Sequence, residues 1–244
     1  MKLLILFGDV ATKAKDTNAA IDFYSRAVKF GTRLLDISPN DIILLASLAH
    51  PLNKAGLSAL SNGDCVTAEK YLSEAVTIIH RMADVNGMFM RDHAFTLTKL
   101  GTAKEEMDKL DEALQCYTMA MQITEELLSA SPDDGKLKWN MYASYEQIGH
   151  IAELKHNYRE AELLYRQSLE ICRTNVKLGT RPFNEDALAS SLYRLGALPL
   201  QRKATDKQKE CLKEAMSIWK DLYDATGDIV YKKNYDFAKK ALRR

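Results

Sequence analysis

Small and large apolar residues recur along this sequence at a nearly constant interval. Five glycines lie 48, 45, 48 and 47 residues apart, and each has an apolar residue directly before it and Leu or Tyr four positions earlier. These glycines are Gly8, Gly56, Gly101, Gly149 and Gly196. A fixed period in this range is typical of helical hairpins that stack on one another.

A second set of positions, downstream of each glycine, follows helical spacing. The sixteenth position after each glycine is Tyr or Leu, and the nineteenth is Ala or Ser. The twelfth is alanine in four repeats (Ala20, Ala68, Ala113 and Ala161) and Gln208 in the fifth. Antiparallel helices approach closely only where side chains are small, and a bulky residue there would cost about 1–3 kcal/mol. The glycines and alanines are therefore predicted to be the structural signature of the contact between paired helices.

The pattern predicts an all-α chain in which no β-strand is needed. We expect helices at 1–14, 17–36, 40–62, 64–85, 89–108, 110–130, 132–155, 158–177, 184–204 and 206–225, and a final helix at 228–242. Five repeats then cover about 1–38, 39–86, 87–131, 132–179 and 180–226 of a single domain, 1–244. Pro51 and Pro199 lie inside predicted helices, so they should kink or split them. Gln208 and Pro199 make the fifth repeat atypical, as terminal repeats often are, and the final helix should cap it.

The junctions between these helices carry turn and capping residues. Ser38-Pro39 and Ser131-Pro132 are interpreted as Ser N-caps followed by Pro in the first helical position. Asn62-Gly63-Asp64 predicts a turn inside the second hairpin. Asn157 with Glu160 predicts a capping box at the start of the helix that follows.

Leu, then Leu-Gly, then Ala, Tyr and Ala on a second helix resembles the tetratricopeptide repeat. The segments Tyr145–Gly149 and Tyr158–Tyr165 show this most plainly. The ordinary repeat has about 34 residues, so the chain is similar to the long-repeat arrays of bacterial multidomain proteins. The resemblance covers nearly the whole chain. It implies a right-handed α-solenoid of five hairpins with a C-terminal capping helix, acting as a non-catalytic scaffold for protein–protein interaction.

In that family the first helix of each hairpin lines a concave groove, which implies a set of partner-binding positions here. They are His50, Asn53, Phe95, Thr98, Thr102, Glu106, Glu146, His150, Glu153 and Tyr193. The middle of this groove is acidic and suits a peptide or helix with Lys or Arg and a few apolar anchors. The alternative is that these glutamates, with Glu105, form an ordinary hydrated helix surface.

One subtype of the family grips acidic chaperone tails with a carboxylate clamp of Lys, Asn and Arg. Lys54, Lys99 and Arg194 match only part of that pattern, which argues against such a receptor.

Two further roles stay open from the sequence. Tyr231, Tyr235 and Phe237, if exposed, would favour stacking or a homodimer through the final helix. The chain could also be an interaction arm of a larger multidomain protein.

The charge distribution bears on nucleic-acid binding. The chain has a formal net charge of +1, but from Gln201 onward it has 12 Lys/Arg against 7 Asp/Glu. Nucleic-acid binding needs a basic face with stacking aromatic residues, and Tyr231 and Tyr235 near these cations give thin support for one. Nucleic-acid binding through the basic C-terminal end is therefore the least favoured alternative.

Composition and motifs limit the remaining classes. With 46% hydrophobic and 27% charged residues the chain is expected to be a soluble cytoplasmic protein. Its apolar runs are too short to span a bilayer, so no membrane partner is expected, and Leu3–Phe7 is too short for a signal peptide. The sequence contains no nucleophile elbow, zinc-protease motif or phosphate-binding loop. We therefore expect no enzyme activity and no cofactor.

The cysteines and histidines show no ligand spacing that would predict a metal site. Cys65, Cys116, Cys172 and Cys211 include no Cys-x-x-Cys pair, so reduced, buried thiols are expected. The five histidines (His50, His80, His93, His150 and His156) are equally dispersed. No bound metal is expected.

Overall fold

A computed structural model describes residues 1–179, 183–199 and 204–243. Within these residues the chain is all helical and has no strand, which confirms the predicted fold class. The helices are α1 (Lys2–Lys13), α2 (Thr17–Ile37), α3 (Ile42–Ser61), α4 (Cys65–Val85), α5 (Met90–Glu105), α6 (Leu110–Ala130), α7 (Gly135–Leu154), α8 (Tyr158–Lys177), α9 (Glu185–Ala197), α10 (Asp206–Thr226) and α11 (Ile229–Ala241). A short 3₁₀ turn, Gly87–Phe89, precedes α5.

The recurring glycines lie where an odd-numbered helix meets the even-numbered helix that follows it. An added Cβ on any of the five would lie 2.5–2.7 Å from a side-chain carbon of the partner helix. That side chain is Tyr24, Leu72, Tyr117, Tyr165 or Leu212. The four signature alanines are 0% exposed. Both sets of small residues therefore occupy the helix-to-helix contacts that the sequence predicts.

The helices group into two compact units, Met1–Thr124 and Glu125–Arg244. In the first unit α2 packs against α3 and α4 against α5, so each hairpin contacts the next through its second helix. In the second unit α8 packs against α9 and α10 against α11 in the same order. Helix α11 also contacts α9, and its Ala238 is 0% exposed in a core cluster with Leu192 and Trp219. Helix α11 thus packs against α10 as α3 packs against α2, α5 against α4 and α9 against α8.

Two predicted helix N-caps are wrong by three residues. Helices α3 and α7 begin at Ile42 and Gly135, and their N-caps are Asp41 and Asp134 rather than the Ser of each Ser-Pro pair. The Asp41 carboxylate accepts from the backbone N–H groups of Ile43 and Leu44 at 2.9 and 3.1 Å. A charged acceptor at a helix N-terminus also interacts favourably with the helix dipole. The aspartates therefore displace the serines as caps.

The capping box predicted at Asn157 is also wrong. The Asn157 side chain accepts no cap hydrogen bond and instead donates to the carboxylate of Glu160. A complete box occurs at Thr205 and Gln208, which starts α10. The side-chain amide of Gln208 also donates to the Leu198 carbonyl at 2.7 Å. This double role explains why Gln replaces the alanine in the fifth repeat.

Pro51 and Pro199 affect their predicted helices differently. Pro51 lies inside α3, which runs unbroken from Ile42 to Ser61, so the expected split does not occur. Helix α9 ends at Ala197, well before the predicted residue 204, because Leu198 is extended, with φ −56° and ψ 131°. A residue that precedes proline, here Pro199, is disfavoured in the helical region. The rest of that predicted helix, 200–203, and the junction at 180–182 lie outside the described residues.

The turns inside the first four hairpins share a backbone conformation that the sequence does not predict. The seventh residue after each signature glycine has a positive φ of 60–75°. Glycine, which adopts this conformation freely, occupies it only in the second hairpin, as Gly63. Lys15, Asp108 and His156 occupy it in the others. An L-residue in this left-handed region costs about 1–2 kcal/mol.

Replacing Lys15 with glycine should therefore stabilise the first hairpin. We expect a net gain of about 0.5–1 kcal/mol in the free energy of unfolding, because glycine's greater freedom in the unfolded chain offsets part of the relieved strain. Chemical denaturation of wild type and variant measures the change. Lys29→Gly on the exposed surface of α2 is the matched control and should destabilise. A destabilised Lys15→Gly variant would contradict the strain argument.

Candidate partner-binding site

Three of the predicted groove residues lie at the surface of the first unit. His50 on α3 and Glu106 directly after α5 are exposed, and Phe95 on α5 is 46% exposed. The Lys99 ammonium lies 5.5 Å from the centroid of the Phe95 ring. Thr98 and Thr102 are half-buried, and their hydroxyls donate to carbonyls of their own helix. His50, Phe95 and Glu106 are thus exposed at the surface.

Two other predicted groove residues connect neighbouring odd helices. Asn53 of α3 accepts a hydrogen bond from the hydroxyl of Thr96 on α5 at 3.0 Å. Glu146 of α7 accepts from the hydroxyl of Ser191 on α9, also at 3.0 Å. Both acceptors lie three residues before a signature glycine, and both donors lie five residues before the next one. This pair of positions therefore joins successive first helices in both units.

Glu146 is not the surface acid that the sequence suggested. Its side chain is only 12% exposed, and the guanidinium Nε of Arg194 lies 3.1 Å from its Oε2. The hydroxyl of Ser168 on α8 donates to the same carboxylate. Burial raises the pKa of the Glu146 carboxyl, and Ser168 and Arg194 oppose that rise. Glu146 is thus a largely covered cross-link between α7, α8 and α9, and Arg194 is engaged there as well.

A second set of carboxylates satisfies buried tyrosines. The hydroxyl of Tyr117 donates to Glu105 at 2.7 Å, and that of Tyr165 donates to Glu153 at 2.9 Å. In the first hairpin Tyr24 donates to Asp9 at 2.7 Å, and burial raises the pKa of Tyr24 to about 12. These are the tyrosines that pack under the signature glycines.

The tyrosine–carboxylate pairs explain a pattern that sequence reasoning missed. Where the sixteenth residue after the glycine is leucine, as at Leu72, the residues one and four positions after the glycine are also apolar, here Leu57 and Leu60. Where the sixteenth residue is tyrosine, one of those two positions is Asp or Glu. This covariation between the columns is the sequence signal that marks Glu105 and Glu153 as internal acceptors.

One pocket joins three odd helices of the second unit. Its volume is about 360 Å³, and it is lined by His150, Glu153, Ser190, Tyr193, Arg194, Ala197, Trp219, Asn234 and Phe237. Trp219 lies behind Tyr193, with ring centroids 5.8 Å apart, and its indole N–H donates to Asp186 at 2.8 Å. Phe237 is 60% exposed and contributes an aromatic wall from α11.

This pocket brings together part of the predicted site and adds residues to it. His150, Glu153 and Tyr193 were predicted, and all three are half-buried in it. Asn234 and Phe237 were not predicted as groove residues, because the final helix was expected to cap the repeats rather than contribute to the groove. Tyr231 and Tyr235 are half-buried against the core cluster of α9 and α10, so they add little to an exposed patch.

A larger pocket of about 680 Å³ lies between α8 and α10. Its walls alternate cations and carboxylates, among them Arg166 with Glu162 and Arg173 with Glu214 as ion pairs. Two of the four lining cations are thus already paired with carboxylates of the same wall, which weakens the attraction of this pocket for a charged ligand. The smaller aromatic pocket therefore remains the stronger candidate.

The described residues contain no group of three or more His, Cys, Asp or Glu side chains that could hold a metal ion. His80 and His93 stack with ring centroids 5.1 Å apart, and burial lowers the pKa of His93. Cys116 and Cys172 are buried free thiols, while Cys65 and Cys211 are half-buried.

Across residues 1–179, 183–199 and 204–243, no helix is both long and apolar enough to cross a bilayer.

Comparison with solved structures decides the fold. BtubC (BKLC) from P. vanneervenii is 18% identical, with 93% of this chain and 89% of that one covered and a TM-score of 0.61. The nearly identical TPR-like repeats of a Podosopora anserina protein are 13% identical, with 91% and 96% covered and a TM-score of 0.64. The apo form of RapI is 12% identical, with 99% and 80% covered and a TM-score of 0.64.

This chain has the tetratricopeptide-like repeat fold. No family profile matches the sequence, and no curated protein matches it either. The tetratricopeptide-like fold accounts for the paired helices and for the small-residue columns between them. In this array Arg194, one of the three residues that partly match a carboxylate clamp, is bound to Glu146 and Tyr165.

Proposed function

We propose that this chain is a non-catalytic scaffold that binds a peptide or helix of a partner protein on its odd-numbered helices. The observation that carries the proposal is the pocket in which α7, α9 and α11 meet around Tyr193 and Phe237. Tetratricopeptide-like arrays present such inner surfaces as extended binding faces. The concave face of repeats two to five remains the wider expected surface, with His50, Phe95 and Glu106 accessible in the first unit.

The chemistry of the pocket favours a partner with an apolar anchor beside a basic residue. Phe237 and Tyr193 provide aromatic surface for the anchor. Glu146 and Arg194 neutralise each other, so Glu153 leaves the pocket with a net negative charge. One Glu153 oxygen accepts from Tyr165, and the carboxylate stays half-exposed at the wall. A Lys or Arg side chain would complement it.

A panel of fluorescein-labelled peptides tests this proposal by anisotropy. Each peptide carries one Phe or Leu anchor beside Lys or Arg, and a matched panel carries Glu in place of the basic residue. We expect only basic peptides to bind. Phe237→Ala should weaken binding about tenfold, or about 1.4 kcal/mol. Glu153→Gln should weaken it similarly while it keeps an acceptor for Tyr165.

The control variant is Leu163→Ala, which removes an equally exposed apolar side chain from α8, outside the pocket. It should leave peptide binding unchanged. Equal binding of both panels, or unchanged affinity in Phe237→Ala, would contradict the assignment of the pocket.

A further inference from the structure

Helix α1 has an apolar stripe that faces solvent. Leu3, Leu6, Phe7 and Val10 recur at helical spacing along one side of α1 and are 50–68% exposed. Such spacing normally marks the buried face of a helix. Here the buried residues of α1 are Gly8 and Ala11, on the side that meets α2. Helix α1 is therefore apolar on two sides.

Helix α2 continues this surface. Phe30, Leu34 and Ile37 follow one side of its C-terminal half and are 38–79% exposed. The ring of Phe23, two turns before Phe30 on the same side, lies 5.5 Å from the ring of Phe7 and joins the two helices. The α1–α2 face consists of Leu3, Leu6, Phe7, Val10, Phe30, Leu34 and Ile37.

Five of the seven equivalent positions are buried one repeat later, while the equivalents of Leu6 and Ile37 are the 40% exposed Lys54 and the 74% exposed Val85. The residues 48 positions later are their equivalents in the next repeat, and most of these lie buried on α3 and α4. The equivalents of Leu3, Phe7 and Val10 are Pro51, Ala55 and Ser58, all buried. The equivalents of Phe30 and Leu34 are Ile78 and Met82, which are 8% and 3% exposed. In the second hairpin this surface packs against α2, so the α1–α2 face is the surface that hairpins use to join each other.

Helix α1 does not run beside the whole of α2. The side chain of Met1 lies beside Gly31, and the last turns of α2, with Leu34 and Ile37, extend past that contact. The two stripes thus form a step of apolar surface rather than one flat face.

We propose that the α1–α2 face binds the same face of a second copy of this chain, giving a two-fold symmetric dimer. The seven side chains together expose on the order of 800 Å², which is about one partner's share of a standard interface and more than typical monomers leave in one patch. A two-fold contact requires a surface that is complementary to itself, and a step lined by apolar side chains meets that condition. Charged residues flank this step: Arg26 is paired with Asp22 at 3.4 Å, and Arg33 is exposed one turn after Phe30.

Sedimentation velocity of the full chain over a wide concentration range tests the dimer. We expect a species of twice the chain mass that dissociates on dilution. Leu6→Glu combined with Val10→Glu should raise the dissociation constant about 100-fold or more, because both charges would be buried unpaired in the contact. Both side chains are more than half exposed in the single chain, so the variant should keep its helicity.

Leu163→Glu combined with Leu178→Glu is the matched control, since both leucines are exposed on α8 or directly after it. That variant should dimerise like wild type. Leu6→Cys should also form an intermolecular disulfide on mild oxidation, and Leu163→Cys should not. A mass of one chain at every concentration would overturn the proposal, as would a dimer that survives Leu6→Glu with Val10→Glu. A face that binds only a helix from a different protein would leave the wild type monomeric and so overturn it too.

Discussion

Replacing Arg194 with alanine should lower the free energy of unfolding of the second unit by about 1–3 kcal/mol, less than for a fully buried ion pair because the Arg194 side chain is 36% exposed. The loss would come mainly from Glu146, whose 12% exposed carboxylate would keep its two serine donors but lose its cation. Protonation of Glu146 would relieve the buried charge. The deficit should therefore be largest near neutral pH and shrink as the solution is acidified, because burial already raises the pKa of this carboxyl. Chemical denaturation at several pH values measures it.

Arg166→Ala provides the matched control on α8. Arg166 pairs with Glu162 one turn earlier, and its side chain is 58% exposed. Exposed pairs of this kind contribute about 0–1 kcal/mol. Similar losses in the two variants, or a deficit in Arg194→Ala that does not change with pH, would contradict the buried-pair interpretation. Arg194→Met with Glu146→Gln should recover much of the stability, because it removes both charges together.

Gly101→Ala should destabilise the first unit by about 1–2 kcal/mol. The new Cβ would lie 2.6 Å from a carbon of the Tyr117 ring. The ring has little freedom to retreat, because Tyr117 is 1% exposed and its hydroxyl donates to Glu105 at 2.7 Å. Overpacking of this kind costs about 1–3 kcal/mol, and alanine's better helix propensity returns only about 0.5–1 kcal/mol. Thermal and urea denaturation both report the difference.

Gly87→Ala is the comparison for this prediction. A Cβ on Gly87 would meet nothing within 4 Å, and its φ is not positive. Its stability should stay within about 0.5 kcal/mol of wild type. An equal effect at both glycines would mean that backbone freedom, rather than the close approach of the Tyr117 ring, decides the stability at Gly101.

The sequence predicts the fold well because the fold depends on repeated small residues. The glycine and alanine columns mark helix contacts directly, since any larger side chain would collide there. Helix starts are predicted less well, because Ser38 and Asp41 are both acceptable caps and only the local geometry selects the aspartate. The left-handed residues at Lys15 and Asp108 give no sequence signal, because neither is glycine.

The candidate site is predicted less completely than the fold. Spacing identifies which residues lie on an odd helix, and it places His150 and Tyr193 correctly on α7 and α9. It does not reveal that Glu146 is buried, because that burial depends on Ser168 and Ser191 from two other helices. It also misses Phe237, whose position depends on how α11 packs against α9 and α10.

The pairing of Tyr117 with Glu105, and of Tyr165 with Glu153, limits how such an array can be recombined. The phenol comes from the second helix of a hairpin, and its acceptor comes from the end of the first. A chimera that exchanged only second helices would bring a tyrosine hydroxyl against the leucines of the second hairpin, Leu57 and Leu60. Whole hairpins are therefore the smallest units that evolution or a protein engineer could exchange without leaving a buried tyrosine hydroxyl unpaired.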